Sequence, residues 1–208
     1  MSLFGVTVIM LVGVIVPVLT ERFGRVTNTV FTMLAPAIAL AYIASLAPAV
    51  LSGEIISESL EWIPAVGLTL SLRLDGLALM FSLLILGIGL LIIFYARYYM
   101  SEKEPIGRFY AYLLLFMTAM LSIVIANNVL QLWMAWEVTS ISSFLLISFW
   151  SSKSESRKGA RMALTVTGAG GLALLAGLLL ISQIVGSYNL EVILASGDLI
   201  REHAMYPV

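Results

Sequence analysis

Apolar residues fall into six stretches, roughly 3–20, 29–51, 76–96, 109–127, 129–150 and 162–186, and the charged positions gather between them. Each stretch is near the ~20 residues a helix needs to cross a hydrocarbon layer about 30 Å thick. The pattern predicts an all-α polytopic membrane protein of about six transmembrane helices. Pro17, Pro36 and Pro48 lie inside the first two stretches, where a membrane helix accommodates them with a kink. One segment follows a different period. In "GLTLSLRLD", Leu68, Leu70, Leu72 and Leu74 alternate with Thr69, Ser71, Arg73 and Asp75, and a period of two marks a half-buried strand. The preceding "SESLEWI" supplies a partner strand, with Pro64 to Gly67 as the turn. A short β-hairpin over 56–75 is therefore expected, lying across the outer face. Asp75 then stands where a carboxylate caps the third helix, with a direct part in ion transport as the competing reading. The segment 187–208 carries Glu191, Asp198, Arg201, Glu202 and His203. It cannot span, and reads as a short interfacial helix or the start of a loop. The whole of 1–208 reads as one membrane domain.

Composition sharpens this picture. The chain is 61% hydrophobic and 11% charged, where a soluble domain carries about 25% charged residues. A net charge of −1 leaves no basic face for nucleic acid. With no Cys, the chain holds neither a disulfide nor a thiolate-ligated iron–sulfur cluster. The first charges, Glu21 and Arg22, follow the first apolar run. A cleavable signal peptide places positive charge before it, so 3–20 reads as a retained helix. The loops after helices 1, 3 and 5 hold Arg22, Arg25, Arg97, Lys103, Arg108, Lys153, Arg157, Lys158 and Arg161, which is nine of the eleven basic residues. By the positive-inside rule those loops face the cytoplasm and both chain ends lie outside a cell membrane. Phe94, Tyr95, Tyr98, Tyr99, Phe109, Tyr110 and Tyr112 flank the middle one, as an interfacial belt would.

The chemistry centres on "LQLWMAWEVTSISSFLLISFW", Leu130 to Trp150. Glu137 sits nine residues past Asn128, about 13–14 Å along the helix axis and near the middle of a ~30 Å core. An unpaired charge at that depth costs a few kcal/mol even on the gentlest insertion scale. Of twelve acidic residues, Glu137 alone lies well inside a span. Ser140 is one turn on, with Thr139 and Ser143 nearby, so a hydrated cavity is expected. Burial favours the neutral carboxyl and a nearby cation favours the charged one. A group held between them loads and releases a proton near neutral pH. The competing reading is a structural Glu bonding helix 5 to a partner helix. "TGAGGLALLAG", Thr167 to Gly177, lacks the Lys-Ser/Thr of a phosphate loop and follows no strand; small residues at a helix interface account for it. Thr165 and Thr167 could offer hydroxyls to a water chain. His203 has no second ligand at metal spacing, so neither metal nor cofactor is expected.

"WEVTSISSFLLISFW" (136–150), "KGARMALTVTGAGGLALLAG" (158–177) and "LRLDGLALMF" (72–81) together resemble the A subunit of Mrp-type multisubunit sodium/proton antiporters. That group is related to the antiporter-like subunits of respiratory complex I and of membrane-bound hydrogenases. The resemblance covers nearly the whole chain. It implies the start of a much longer antiporter-like protein, built of inverted helix units with broken helices, within a hetero-oligomer. By position Glu137 matches the family's helix 5 Glu, which pairs with a Lys on helix 7. No span here contains a Lys, and Met162 occupies a place where related subunits often have one, with Arg161 on a different face. The resemblance implies an ion-transporter subunit rather than an enzyme. It would be the proton-translocating portion of a monovalent cation (Na+)/proton antiporter, with other subunits, protons, sodium and the lipid bilayer as partners. The alternatives are a non-transporting assembly module of the same complex, or a proton-channel subunit of a redox-driven pump.

Overall fold

Side-chain caps set the starts of three of the long helices. Ser2 opens the first helix by accepting from the Gly5 N–H at 3.0 Å. Asp75 opens the third by accepting from the Ala78 N–H at 2.9 Å. Asn128 opens the fifth by accepting from the Leu130 and Gln131 N–H groups at 2.9 and 3.2 Å. Each meets donors that a helix N-terminus leaves free. The computed structural model describes residues 2–63 and 68–203. Among them, six helices are long and apolar enough to cross a membrane. They are α1 Leu3–Thr20, α2 Arg25–Leu51, α3 Gly76–Tyr99, α4 Ile106–Val124, α5 Val129–Ile147 and α6 Ser154–Val185. Two strands, β1 Ile56–Ile63 and β2 Leu68–Leu74, form the antiparallel hairpin, with Ile56 opposite Leu74 and an irregularity between Glu61 and Ile63. The expected turn at Pro64 to Gly67 lies outside the described residues, as does 204–208. The segment after α6 forms two short helices, α7 Leu190–Ala195 and α8 Gly197–Glu202.

Helices and hydrophobic runs do not share boundaries. Helix α2 begins four residues before its apolar stretch, and α6 begins eight before, carrying Glu155, Arg157, Lys158 and Arg161 in its first turns. Hydropathy marks where hydrocarbon begins, while backbone hydrogen bonding continues into the interface. Arg25, Arg97, Arg108, Arg157, Lys158 and Arg161, expected in loops, are helical. Helix α4 packs on α1, α3 and α5, α2 packs on α1 and α3, and α6 packs on α5. Over half of the most apolar window of α4 is buried (56%), against 6% for α6, so the core lies around α4 and α6 stands at the edge. Tyr110, grouped with the aromatic belt by sequence, is instead fully buried in that core. Its hydroxyl donates to the Ile93 carbonyl at 3.0 Å and meets the Thr29 hydroxyl at 3.0 Å. Phe94, Tyr95, Tyr98 and Tyr99 remain exposed, as a belt requires.

The hairpin is stitched into the bundle. Glu58 of β1 accepts from the Leu3 and Phe4 N–H groups at 2.8 and 3.1 Å, capping α1 from 55 residues away. On the other edge, Arg73 N–H donates to the Ile125 carbonyl and Asn127 N–H to the Ser71 carbonyl, both at 2.8 Å. The 188–190 segment then pairs with 127–129, Val129 N–H donating to Tyr188 and Leu190 N–H to Asn127. The α4–α5 link and the α6–α7 link thus extend the sheet sideways and satisfy edge groups that would otherwise be open. Gly186, at φ 76, ends α6 in the left-handed region and turns the chain into this sheet. Glu58→Ala is expected to cost about 1 kcal/mol of stability by uncapping α1. Thermal unfolding in detergent reads this, with Glu58→Gln, which keeps one acceptor, losing less.

At the opposite end the basic loops hold one another. Glu21 accepts from the Gly107 N–H at 3.2 Å, and the Arg25 guanidinium donates to the Met100 carbonyl. Glu104 accepts from the Ser101 N–H and from the Trp150 indole N–H. These hydrogen bonds, the Trp150 one foremost, hold the Glu104 carboxyl below its ordinary range, with Arg25 and Lys153 assisting. A lowered carboxyl stabilises the fold above the ordinary carboxylate range, and that contribution is lost as pH falls through its folded-state value. Trp150→Phe is therefore expected to be slightly less stable than the parent at neutral pH and equal to it in acid, as read by paired melts.

Candidate functional site

Helix α5 carries the candidate. Its N-terminal turn is fixed by the cap at Asn128 and by buried Gln131, whose Oε1 accepts from the Ser71 N–H of β2 at 2.8 Å. The helix then descends between α4 and α6. Glu137 is half-buried, and its Oε1 is buried with no hydrogen-bond partner among the described residues. The surface that meets it is Gly171 of α6. A methyl group at Gly171 would overlap Glu137 Oε1 outright and press Cδ at 3.0 Å. One turn earlier on the same face, Trp133 donates its indole N–H to the Gly171 carbonyl at 2.9 Å. Two adjacent α5 side chains therefore grip one residue of α6.

The hydroxyls expected around Glu137 are directed elsewhere. Thr139 donates to the Trp136 carbonyl at 2.6 Å, and buried Ser140 donates to the same carbonyl at 3.4 Å. Thr165 and Thr167 donate to Arg161 and Ala163 of their own helix at 2.9 and 2.8 Å. Such back-bonding to the preceding turn satisfies a hydroxyl where no other acceptor is near. Ser143 is half-buried on α5. Asp75 lies at the hairpin end, capping α3 and 3.6 Å from Arg73. The structure does not bring it to Glu137. His203 is exposed just past α8.

Two cavities flank the helix. Beside Trp136 an apolar groove of about 420 Å³ is lined by Ile123, Leu132, Trp136, Thr167, Gly170 and Leu174. At the hairpin end, around the α5 N-terminus, a polar pocket of about 400 Å³ is lined by Ser59, Thr69, Ser71, Asn127, Asn128, Ser187, Tyr188 and Asn189, among others. Sequence reasoning singled out Glu137 but not Gly171, Trp133 or this pocket. The glycine-rich run did signal close helix packing, but not which glycine makes it.

Comparison with known proteins agrees with this architecture. Residues 62–110 match a family described as NADH-Ubiquinone oxidoreductase (complex I), chain 5 N-terminus. Residues 126–205 match one described as NADH:quinone oxidoreductase/Mrp antiporter, TM. The chain is 52% identical over 163 residues to the A/B subunit of a probable K(+)/H(+) antiporter of Rhizobium meliloti (strain 1021), covering 78% of this chain and 16% of that protein. It is 41% identical over 208 residues to the A1 subunit of a Na(+)/H(+) antiporter of Staphylococcus haemolyticus (strain JCSC1435), covering 99% of this chain and 26% of that one. It thus spans about a quarter or less of these relatives. The solved Mrp complex from Dietzia sp. DQ12-45-1b contains a chain that superposes with a TM-score of 0.76 at 29% identity, over 97% of this chain and 22% of that one.

Proposed function

The chain belongs to the antiporter-like membrane family shared by Mrp antiporters and NADH:quinone oxidoreductases, and from that premise we propose that it is the proton-translocating portion of a multisubunit monovalent cation/proton antiporter. Glu137 takes up and releases the proton. The observation that carries this reading is its buried carboxyl oxygen, placed within a membrane span and left without a hydrogen-bond partner among the described residues. An acceptor in that setting is costly unless something visits it, and a proton or a cationic group from a partner segment is what a carboxylate accepts. The polar pocket at the hairpin end gives water a way to the first turn of α5.

Charge supports the orientation. The end that holds nine of eleven basic residues faces the cytoplasm, and the hairpin faces outward across the cell membrane. The exchanged cation is sodium in this reading. The potassium-named relative makes Na+ against K+ the first comparison to run. Other subunits supply the cationic partner of Glu137 and cover the open face of α6, which is buried only at Ala160, Gly171 and Ser182. The contact between Glu137 and α6 also favours a second reading, a non-transporting assembly module in which the carboxyl locks two helices.

The experiment compares the parent with Glu137→Gln in inverted vesicles bearing the assembled complex, following proton movement driven by Na+ and by K+. Loss of flux with intact assembly supports proton handling. Full flux in the variant leaves the chain as scaffold.

A further inference from the structure

Helix α6 packs on α5 but buries few of its own residues fully. Ala160, Gly171 and Ser182 are its buried residues, spaced eleven apart. Eleven residues make three turns at 3.67 residues per turn, so the three lie in one nearly straight row along the helix. At the middle of that row Trp133 holds the Gly171 carbonyl at 2.9 Å and the Glu137 carboxyl fills the place of a Gly171 side chain. Gly168, Gly170 and Gly177, in the same glycine-rich run, have nothing within 4 Å of where a Cβ would stand. One glycine of the four is therefore needed for contact, and it is the one facing the carboxyl.

We propose that Gly171 and Trp133 are positioning residues for Glu137: the missing side chain of Gly171 makes the seat for the carboxyl, and the Trp133 hydrogen bond keeps that seat in register. This rests on the reading of Glu137 as the proton carrier. The seat fixes how deep the carboxyl lies against α6. A Cβ at Gly171 meets only the Glu137 carboxyl, so the carboxyl is what it displaces. The indole bond opposes sliding of α6 along its row of small residues.

The test is a mutant cycle in the assembled complex. Gly171→Ala is expected to lower cation-driven proton flux about tenfold to a hundredfold, the scale of loss when a reacting group is displaced by about 1 Å. Gly170→Ala, which meets nothing of this chain, lowers the flux by less. Trp133→Phe, which keeps the ring and removes the donor, lowers it by less, with the apparent KM for the cation unchanged. Glu137→Asp withdraws the carboxyl by one methylene, so Gly171→Ala added to it causes little further loss. Thermal unfolding of the same variants reads the contact without needing activity: Gly171→Ala shifts the melting of the Glu137 protein differently from that of the Glu137→Ala protein. Equal effects of alanine at 170 and 171, or penalties at 137 and 171 that simply add, overturn the proposal. The two ideas fail separately. If Glu137→Gln keeps full flux while the thermal cycle shows coupling, the seat stands and proton handling falls. If Glu137→Gln abolishes flux while Gly171→Ala is silent, the seat falls alone.

Discussion

Glu137→Gln is expected to lower cation-driven proton movement by roughly a hundredfold, the scale on which one positioned acid–base group contributes. The substitution keeps the size of the side chain and an acceptor oxygen, so the contact with Gly171 survives. It removes only the ability to bind and release a proton. The hydroxyls nearest in sequence cannot take over, because Thr139 and Ser140 donate to the Trp136 carbonyl of their own helix. No second carboxylate lies in the membrane-spanning part of α5 or α6. The measurement is fluorescence-detected proton movement in inverted vesicles after adding Na+ or K+, with the amount of assembled complex determined in each preparation. The assembly reading makes the opposite forecast, since Gln locks two helices about as well as Glu. An outcome within twofold of the parent would therefore remove proton transfer from Glu137.

Gly107→Val is expected to destabilise the bundle by about 1–3 kcal/mol or more from overpacking, a larger loss of stability than uncapping α1 or removing the Trp150 indole donor. Helix α4 crosses α1 at this point. A Cβ on Gly107 would stand 2.6 Å from the Pro17 carbonyl oxygen and 2.9 Å from Glu21 Oε2. The Pro17 carbonyl is backbone and cannot step aside. It is also occupied, accepting from the buried Asn28 side chain at 2.8 Å. Pushing α4 outward would strain this bond, the Glu21 contact with the Gly107 N–H and the buried Tyr110 one turn on. Gly87, in the middle of α3, has nothing within 4 Å of where a Cβ would stand, so Gly87→Ala is expected to be neutral or to stabilise by about 0.5–1 kcal/mol through helix propensity. Thermal unfolding in detergent, together with accumulation in membranes, measures both. Equal melting of the two variants would mean that the α1–α4 crossing tolerates expansion.

Much of the architecture was legible because a membrane imposes a length and a polarity that sequence records directly. The six apolar runs became six long helices, and the alternation of leucines at 68–74 became β2. Asp75 capped α3 as its place before an apolar run implied. Glu137 was visible because a lone carboxylate in a span is rare for an energetic reason. Residues acting across long sequence separations were not legible. Glu58 fell within the expected partner strand with no role assigned, yet it caps a helix 55 residues earlier. Tyr110 looked like a belt aromatic, yet its phenol meets Thr29 and Ile93 inside the core.

By itself, then, the sequence determined the class of solvent around this chain, the number of its crossings, the site of its hairpin and the one acidic group inside its spans. Each follows from the free energy of moving a local segment between water and hydrocarbon, a quantity that depends on composition and period alone. Tertiary structure decided which glycine of "TGAGGLALLAG" meets Glu137, that Trp133 holds it, and that the α4–α5 and α6–α7 links join the hairpin sheet. Those depend on the rotation and depth at which one helix packs against another, and a methyl group present or absent at a single crossing point fixes both.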